Sequence, residues 1–456
     1  MSYLPLAAAM QHSEVLLVAV LIQLGVIIGV ARLFGILFRK FGQPVVVGEI
    51  VAGVTLGPSV FGKLEVLLGY TNHRFSHAIF DPALSEIFTV LAELGLVLLL
   101  FLVGLEFDFS HLKRSHKSAL GISSMGVILP FGLGWLLAHG IHPYLEGVHK
   151  EGSEALVPVD LHGFALFMGT AMAITALPVL GRMMLEFNIT RTRLATITIS
   201  AAAVDDATGW ILLAAVSAMV RSQFQIMETL QMIGLTIGFV LAMLFIVRPI
   251  MVRWIRWSMK RHDGGLGLNA MTILLIVIFL CSMATSTIGI FAIFGAFVLG
   301  AVLSDQGVFR EAVTRELRSF VTVFFLPIFF TYTGLRTDID TLNSGMLWMI
   351  AGAVIAAAVL GKFGGCAIAA RVSGNAWRES LCVGAMMNTR GLMELIVINV
   401  GYNLGIIPRS VFCMLVFMAL VTTFMTTPLL KVLKRGTELD EPMEKSRFGR
   451  VRVKAS

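Results

Sequence analysis

The stretch Ser200-Ala201-Ala202-Ala203-Val204-Asp205-Asp206-Ala207-Thr208-Gly209-Trp210 decides how this chain reads. Two adjacent carboxylates stand in an apolar run, 194–220, that holds no other charge. At about 1.5 Å per helical residue, the pair lies roughly 18 Å from the nearer end of its helix. Neighbouring helix residues point about 100° apart, so the two carboxylates face different surroundings.

The rest of the chain explains what that helix sits in. Of 456 residues, 57% are hydrophobic and 14% charged, with mean hydropathy +0.86. A soluble domain carries about a quarter charged residues. The composition excludes a disordered chain, a coiled coil and a soluble enzyme. Apolar runs of about 18 or more residues read as membrane-spanning helices. Thirteen such segments are expected, at 15–38, 43–62, 86–105, 118–139, 162–183, 194–220, 228–247, 269–286, 289–304, 318–335, 346–370, 379–402 and 410–430.

The formal charge is +7 and the pI about 9.4, values that could suggest nucleic acid. The location of the charge excludes it. Alternate loops, with the tail 431–456, hold 26 Lys and Arg, against six in the other loops. Basic loops stay cytoplasmic, so the N-terminus is expected outside and the C-terminus in the cytoplasm. The short basic tail reads as a solvated flank that can meet anionic lipid. Cys281, Cys366, Cys382 and Cys413 lie in apolar segments, match no metal spacing and read as small hydrophobes. His73, His77, His139, His142, His149 and His162 fall in the two long outer loops and read as loop surface.

Thirteen segments divide into six, a linker helix at 228–247, and six more. The third segments end alike, in Gly104-Leu105-Glu106-Phe107-Asp108 and Gly334-Leu335-Arg336-Thr337-Asp338. The second segments echo each other in Ala52-Gly53-Val54-Thr55-Leu56-Gly57 and Phe297-Val298-Leu299-Gly300. An odd linker makes the repeat inverted, an architecture of transporters whose sites sit on helices broken near the midplane. The fifth segments fit such breaks. One carries Thr175-Ala176-Leu177-Pro178 and the other Asn388-Thr389-Arg390-Gly391. Pro removes a backbone donor and Gly frees the chain.

Charges at membrane depth cost roughly 2.5–3.5 kcal/mol each on insertion scales, which makes each a functional candidate. They are Glu49, Glu93, Asp205, Asp206 and Glu394 against Arg32, Lys362 and Arg390. Arg32 is near its helix end and can snorkel. Glu49 can line a funnel or make a structural bond, and Glu93 is a second accessory acid. Arg390 and Glu394 are four residues apart and can pair. Lys362 is the natural partner for one aspartate. Removing the other from water favours its protonated form. Ionised, it is a hard oxygen ligand for an alkali cation. A site that holds a proton or a cation, never both, performs antiport.

Together these residues resemble the second branch of the monovalent cation:proton antiporter superfamily, with its bacterial Na+/H+ antiporters and plant cation/proton exchangers. The likeness spans 44–400, through Gly48-Glu49-Ile50-Val51-Ala52-Gly53, Phe101-Leu102-Val103-Gly104-Leu105-Glu106, Thr175-Ala176-Leu177-Pro178, Asp205-Asp206, Gly361-Lys362 and Asn388-Thr389-Arg390-Gly391. It implies an all-α polytopic membrane protein of the sodium/proton antiporter fold with two crossed broken helices. It implies a homodimer and elevator movement, with a dimerisation domain at 15–105 and 269–335 and a core ion-transport domain at 118–220 and 346–430. By the same likeness Asp206 binds the cation and proton, with Thr175 nearby, and Asp205 pairs with Lys362. No resident cofactor is implied; Na+ (or Li+) and H+ are cargo. K+/H+ exchange on the same scaffold is the closest rival. A sodium-coupled organic-anion symporter would need a roomier polar cavity, and a channel a filter motif or polar pore helix.

Overall fold

The computed structural model describes residues 4–67, 80, 84–106, 117–149, 156–190, 192–221, 226–261 and 267–446. Among the described residues the regular structure is helical apart from one short antiparallel pairing of Val148–His149 with Leu156–Val157. The first half contains α1 (Leu4–Lys40), α2 (Val45–Leu56), α3 (Ser85–Glu106), α4 (Lys117–Ile141), α5 (Leu161–Ala173), α6 (Leu177–Glu186) and α7 (Arg193–Arg221). The linker is α8 (Ile226–Ala242), continuous through one π-helical turn with α9 (Arg248–Arg261). The second half contains α10 (Leu268–Ile288), α11 (Ala292–Val302), α12 (Gly307–Phe320), α13 (Leu326–Leu335), α14 (Gly345–Val359), α15 (Gly365–Val372), α16 (Trp377–Met387), α17 (Leu392–Asn403) and α18 (Arg409–Leu433), before a short α19 (Asp440–Glu444).

Nine helices among the described residues are long and apolar enough to cross a membrane, or up to eleven if two bent pairs each count as one span. The bent pairs are Val45–Leu56 with Pro58–Glu65, at 41°, and α16 with α17, at 45°. The expected spans 162–183 and 289–304 carry shorter apolar helices, Leu161–Ala173 and Ala292–Val302. Thirteen full-length spans are therefore not seen. The first of the two falls short because its apolar run unwinds partway, after Ala173.

The two halves engage each other reciprocally. Helix α2 packs on α13, and α3 on α11, so the second segment of each half meets the third of the other. Glycines allow it. A Cβ on Gly53 would stand 2.0 Å from Thr331 O, and one on Gly334 would stand 2.3 Å from Ile50 O. At the other crossing a Cβ on Gly104 would lie 2.3 Å from Phe297 O, and one on Gly300 would lie 2.2 Å from Phe101 O. Interiors this close cannot admit a methyl group without backbone movement. Gly104 and Gly334 match as their sequence echo suggested. In the echoing second segments it is Gly53 and Gly300 that stand at equivalent contacts.

The face on which α18 ends, here the C-terminal face, carries a correction to the solvated tail. Residues 434–446 fold back onto the helix ends. Leu439 and Met443, four apart, are buried in an apolar cluster with Leu180, Met183, Met184 and Phe187. Glu438 Oε1 accepts the backbone N–H of Leu194, in the first turn of α7, at 2.5 Å. Arg378 Nη1 donates to Arg435 O at 2.9 Å. Two apolar residues on one short helix are too few for a hydropathy window to register.

Candidate functional site

The helix breaks meet where the two unwound stretches cross. Helix α5 stops at Ala173, Ile174 and Ala176 are non-helical, and α6 restarts with a Pro in its first turn. Proline suits that position, where its missing N–H would have had no partner. Helix α16 ends at Met387 and α17 begins at Leu392, with Asn388–Gly391 between them. The strands of the crossing bond directly. Ala176 N donates to Thr389 O at 3.1 Å, and Thr175 Oγ1 donates to Met387 O at 3.2 Å.

A helix broken in the membrane leaves its last carbonyls without partners and its C-terminus partially negative. Buried cations answer both needs at α5. Arg390 Nη1 donates to Ala171 O at 2.9 Å and Nη2 to Met172 O at 2.8 Å. Lys362 Nζ donates to Ala173 O. Arg390 also pairs with Glu394 at 3.1 Å, and its backbone N–H and C=O both bond Thr423 Oγ1, at 3.0 and 2.7 Å.

Asp205 and Asp206, side by side on α7, live in different chemistry. Asp205 is fully buried and saturated. Its Oδ2 takes Lys362 Nζ at 2.6 Å and Thr175 Oγ1 at 3.0 Å, while its Oδ1 takes Ser123 Oγ at 2.5 Å. Lys362, on a π-helical turn at Leu360–Gly364, completes its own donors on Gly126 O at 2.7 Å. Such single π turns inside α-helices often mark functional positions.

Asp206 is buried too, yet its Oδ1 has no hydrogen-bond partner. Trp210, one turn along, turns toward the same carboxylate, but its indole N–H makes no hydrogen bond. At the second break the buried Asn388 amide has neither its oxygen nor its nitrogen bonded. Unpaired buried polar groups cost about 1–3 kcal/mol each, so their presence beside a saturated neighbour needs a reason. Among the described residues no group of three or more His, Cys, Asp or Glu assembles. The donors on offer are a carboxylate and neutral oxygens, a set suited to a hard cation of low charge.

The structure therefore brings Thr175, Asp205, Lys362, Arg390 and Glu394 into one network around the crossing, with Asn388 and Gly391 in its backbone and Pro178 starting α6. Two candidates lie elsewhere. Glu49 is buried on α2, where its carbonyl accepts Thr331 Oγ1 at 3.2 Å. Glu93 lines a cavity on the other face. His139 and His142 bond the carbonyls of Trp135 and Val159, and His73 and His77 lie outside the described residues. Ser123, Gly126 and Thr423 were not expected. Ser123 is one hydroxyl among many in its span, and Gly126 acts through its carbonyl. Gly126 also has no room for a side chain, since a Cβ would meet Cys366 Sγ at 2.7 Å.

The chain is similar to known proteins in sequence and in fold. The family model for the transmembrane sodium/hydrogen exchanger matches residues 27–432. The Na(+)/H(+) antiporter NhaS4 of Synechocystis sp. is 37% identical over 418 residues, covering 91% of this chain and 96% of that protein. Cation/H(+) antiporter 17 of Arabidopsis thaliana is 36% identical over 442 residues, 96% of this chain but 51% of the plant protein, so this chain spans about half of that relative. The sodium proton antiporter MjNhaP1 of Methanocaldococcus jannaschii superposes with a TM-score of 0.64 at 14% identity, over 93% of this chain and 99% of that one. The chain is an integral membrane protein, and it belongs to the sodium/hydrogen exchanger family.

Proposed function

We propose that this protein is a secondary antiporter that exchanges Na+ for H+, with Asp206 as the group that binds one or the other. The reading rests on the asymmetry of the aspartate pair. Asp205 spends both oxygens on Lys362, Thr175 and Ser123. Asp206 keeps an oxygen free, and the Asn388 amide at the second break is likewise unbonded. A desolvated carboxylate cannot stay charged alone. It takes a proton or a cation, and occupancy by one excludes the other. Asp205 and Lys362 hold the site's shape, and Arg390 with Glu394 neutralises the second broken helix.

In this reading 118–220 and 346–430 form a core that carries the ion by an elevator movement. Residues 15–105 and 269–335 form the stationary scaffold through which two copies dimerise, and 228–247 links the two parts. The N-terminus faces outward, the C-terminus faces the cytoplasm, and the setting is a bacterial inner membrane with anionic lipid at its basic rim.

Exchange of K+ for H+ is the second reading. One carboxylate with neutral oxygens does not by its charge distinguish Na+ from K+, so size and rigidity must. Proteoliposomes with an internal pH dye test both. Alkalinisation on imposing Na+ or Li+ gradients supports the first reading, and response to K+ alone replaces it with the second. Silence with every cation refutes antiport.

A further inference from the structure

The face opposite the C-terminus holds a cavity of about 80 Å³ between α3, α11, α13 and α17. That is room for a few waters. Its polar lining includes Glu93 of α3, Thr333 of α13 and Asn399 of α17. Arg336, at the end of α13, sits at the mouth. Its guanidinium lies 5.0 Å from the Tyr332 ring of its own helix and 5.5 Å from the Tyr402 ring of α17. Its Nη1 donates to Asn403 Oδ1, also on α17, at 3.1 Å. A second tie joins the same helices, from Asn399 Nδ2 to Thr333 Oγ1 at 3.1 Å.

On α11, just past the cavity-lining Ala292 and Ile293, comes an aromatic cluster. Trp210 of α7 stacks on Phe297 of α11 with ring centroids 5.1 Å apart and meets Phe294 edge-on at 5.6 Å. Trp210 is four residues from Asp206 on the side of this face. Along α11 the cavity-lining Ala292 and Ile293 come first and Phe294 and Phe297 next, and along α7 Trp210 leads back to Asp206.

We propose that Arg336 is a gate on the path to Asp206, acting as a tethered cation. Two aromatic faces and an amide oxygen form a recognition site for a positive charge, and the chain's own guanidinium fills it. Filled, it ties α13 to α17 and places a positive charge over the route a cation would take, in the field of Glu93, which it shares with Arg221 of α7, whose guanidinium lies 4.5 Å over the Phe291 ring. When α17 slides against α13, both cross-helix ties break, the guanidinium swings off Asn403, and Glu93 faces the cavity with Arg221 as its counter-charge. Arg336 is a positioning residue: it sets when a cation can enter and leaves the chemistry at Asp206 unchanged.

This inference rests on the antiport reading for its purpose, but its first test does not need transport. All four native cysteines are buried, so a cysteine at Asn399 reports cavity access alone. The Asn399→Cys protein in detergent is treated with a cationic and a neutral methanethiosulfonate. In the Arg336→Gln background the cationic reagent should react about tenfold faster, the scale of a local charge effect in a cleft, while the neutral reagent changes little. An equal rise for both reagents would mean mere loosening, and no rise would mean no gate; either overturns the proposal. Arg336→Lys keeps the charge and should hold the cationic rate low. It also serves if Arg336→Gln fails to fold, with Tyr402→Leu then opening the clasp. In proteoliposomes, Arg336→Gln should lower the apparent KM for cation supplied at this face severalfold and leave kcat nearly unchanged. Charge-selective labelling in a protein that exchanges nothing would leave the gate standing and remove the antiport reading.

Discussion

The glycine crossings of α2 with α13 and α3 with α11 differ from the broken-helix crossing in what fills the space between backbones. At the first, side chains are deleted until carbonyl oxygens would touch a Cβ at 2.0–2.3 Å. At the second, the backbone unwinds, and Arg390, Lys362 and hydroxyls fill the gap. The glycine contacts need no charge and can be rigid. The polar crossing carries the unpaired atoms of Asp206 and Asn388 in a membrane, where such atoms are most costly. One repeat thus supplies a crossing that is closed by packing and, in the proposed reading, a crossing that also binds.

The sharpest way to break that contrast is Asp206→Asn. The free oxygen remains but the exchangeable charge is gone, so cation-driven proton movement should vanish in proteoliposomes. The protein should still fold, because Asp206 Oδ1 bonds nothing. A thiol-reactive dye measures this directly, since the four buried cysteines become reactive only on unfolding. Surviving exchange in this variant would move the ion site away from the polar crossing.

Lys362→Ala attacks the saturated neighbour. It leaves Asp205 buried without its cation and Ala173 O without a donor. Breaking a buried pair from one side costs about 3–5 kcal/mol. The dye-reported melting temperature should fall sharply, and Lys362→Arg should not restore it, because a planar fork does not match three acceptors set around one ammonium. An unchanged melting point would show that the pair is not what shapes the site.

At the other crossing, Gly53→Ala or Gly300→Ala should cost about 1–3 kcal/mol through overpacking. Each should lower the melting temperature while the fraction that folds keeps its apparent KM for cation. A shifted KM with normal stability would show that the glycine crossings take part in binding after all.

Parts of both crossings were legible in the sequence. Charges in an apolar run are conspicuous, and the aspartate pair, Lys362, Arg390 and Glu394 all stood out before any packing was known. The breaks were legible because Pro178 and Gly391 announce them. What hid was whatever acts through backbone or through absence. Gly126 contributes a carbonyl, Ser123 is one of many hydroxyls, and Gly53 matters for the atom it lacks. The echo of the second segments held both Gly53 and Gly57, and since four residues return the chain to nearly the same helix face, pattern alone does not choose between them. The folded tail hid for another reason. Its apolar stripe has two members, and Leu439 and Met443 are buried in a cluster that includes Leu180, Met183, Met184 and Phe187, more than 200 residues earlier.

That tail gives the smallest expected effect. Lys434 Nζ lies 2.6 Å from Asp440 Oδ1, and the hydrogen bond from Lys434 holds the Asp440 carboxyl below its ordinary value. A depressed carboxyl stabilises the fold above its unfolded value, about 3.9, and loses that contribution as pH falls through the lower folded value. The contact is exposed, so the effect is modest and screened by salt. Limited digestion with an acid protease should cut at 434–446 faster as pH drops below about 4. Asp440→Asn should be cut faster already at neutral pH, with a flatter pH response. If that variant resists cleavage as the natural chain does, the hold on the tail is Leu439, Met443 and the Glu438 cap on α7, and the Lys434–Asp440 pair contributes nothing measurable.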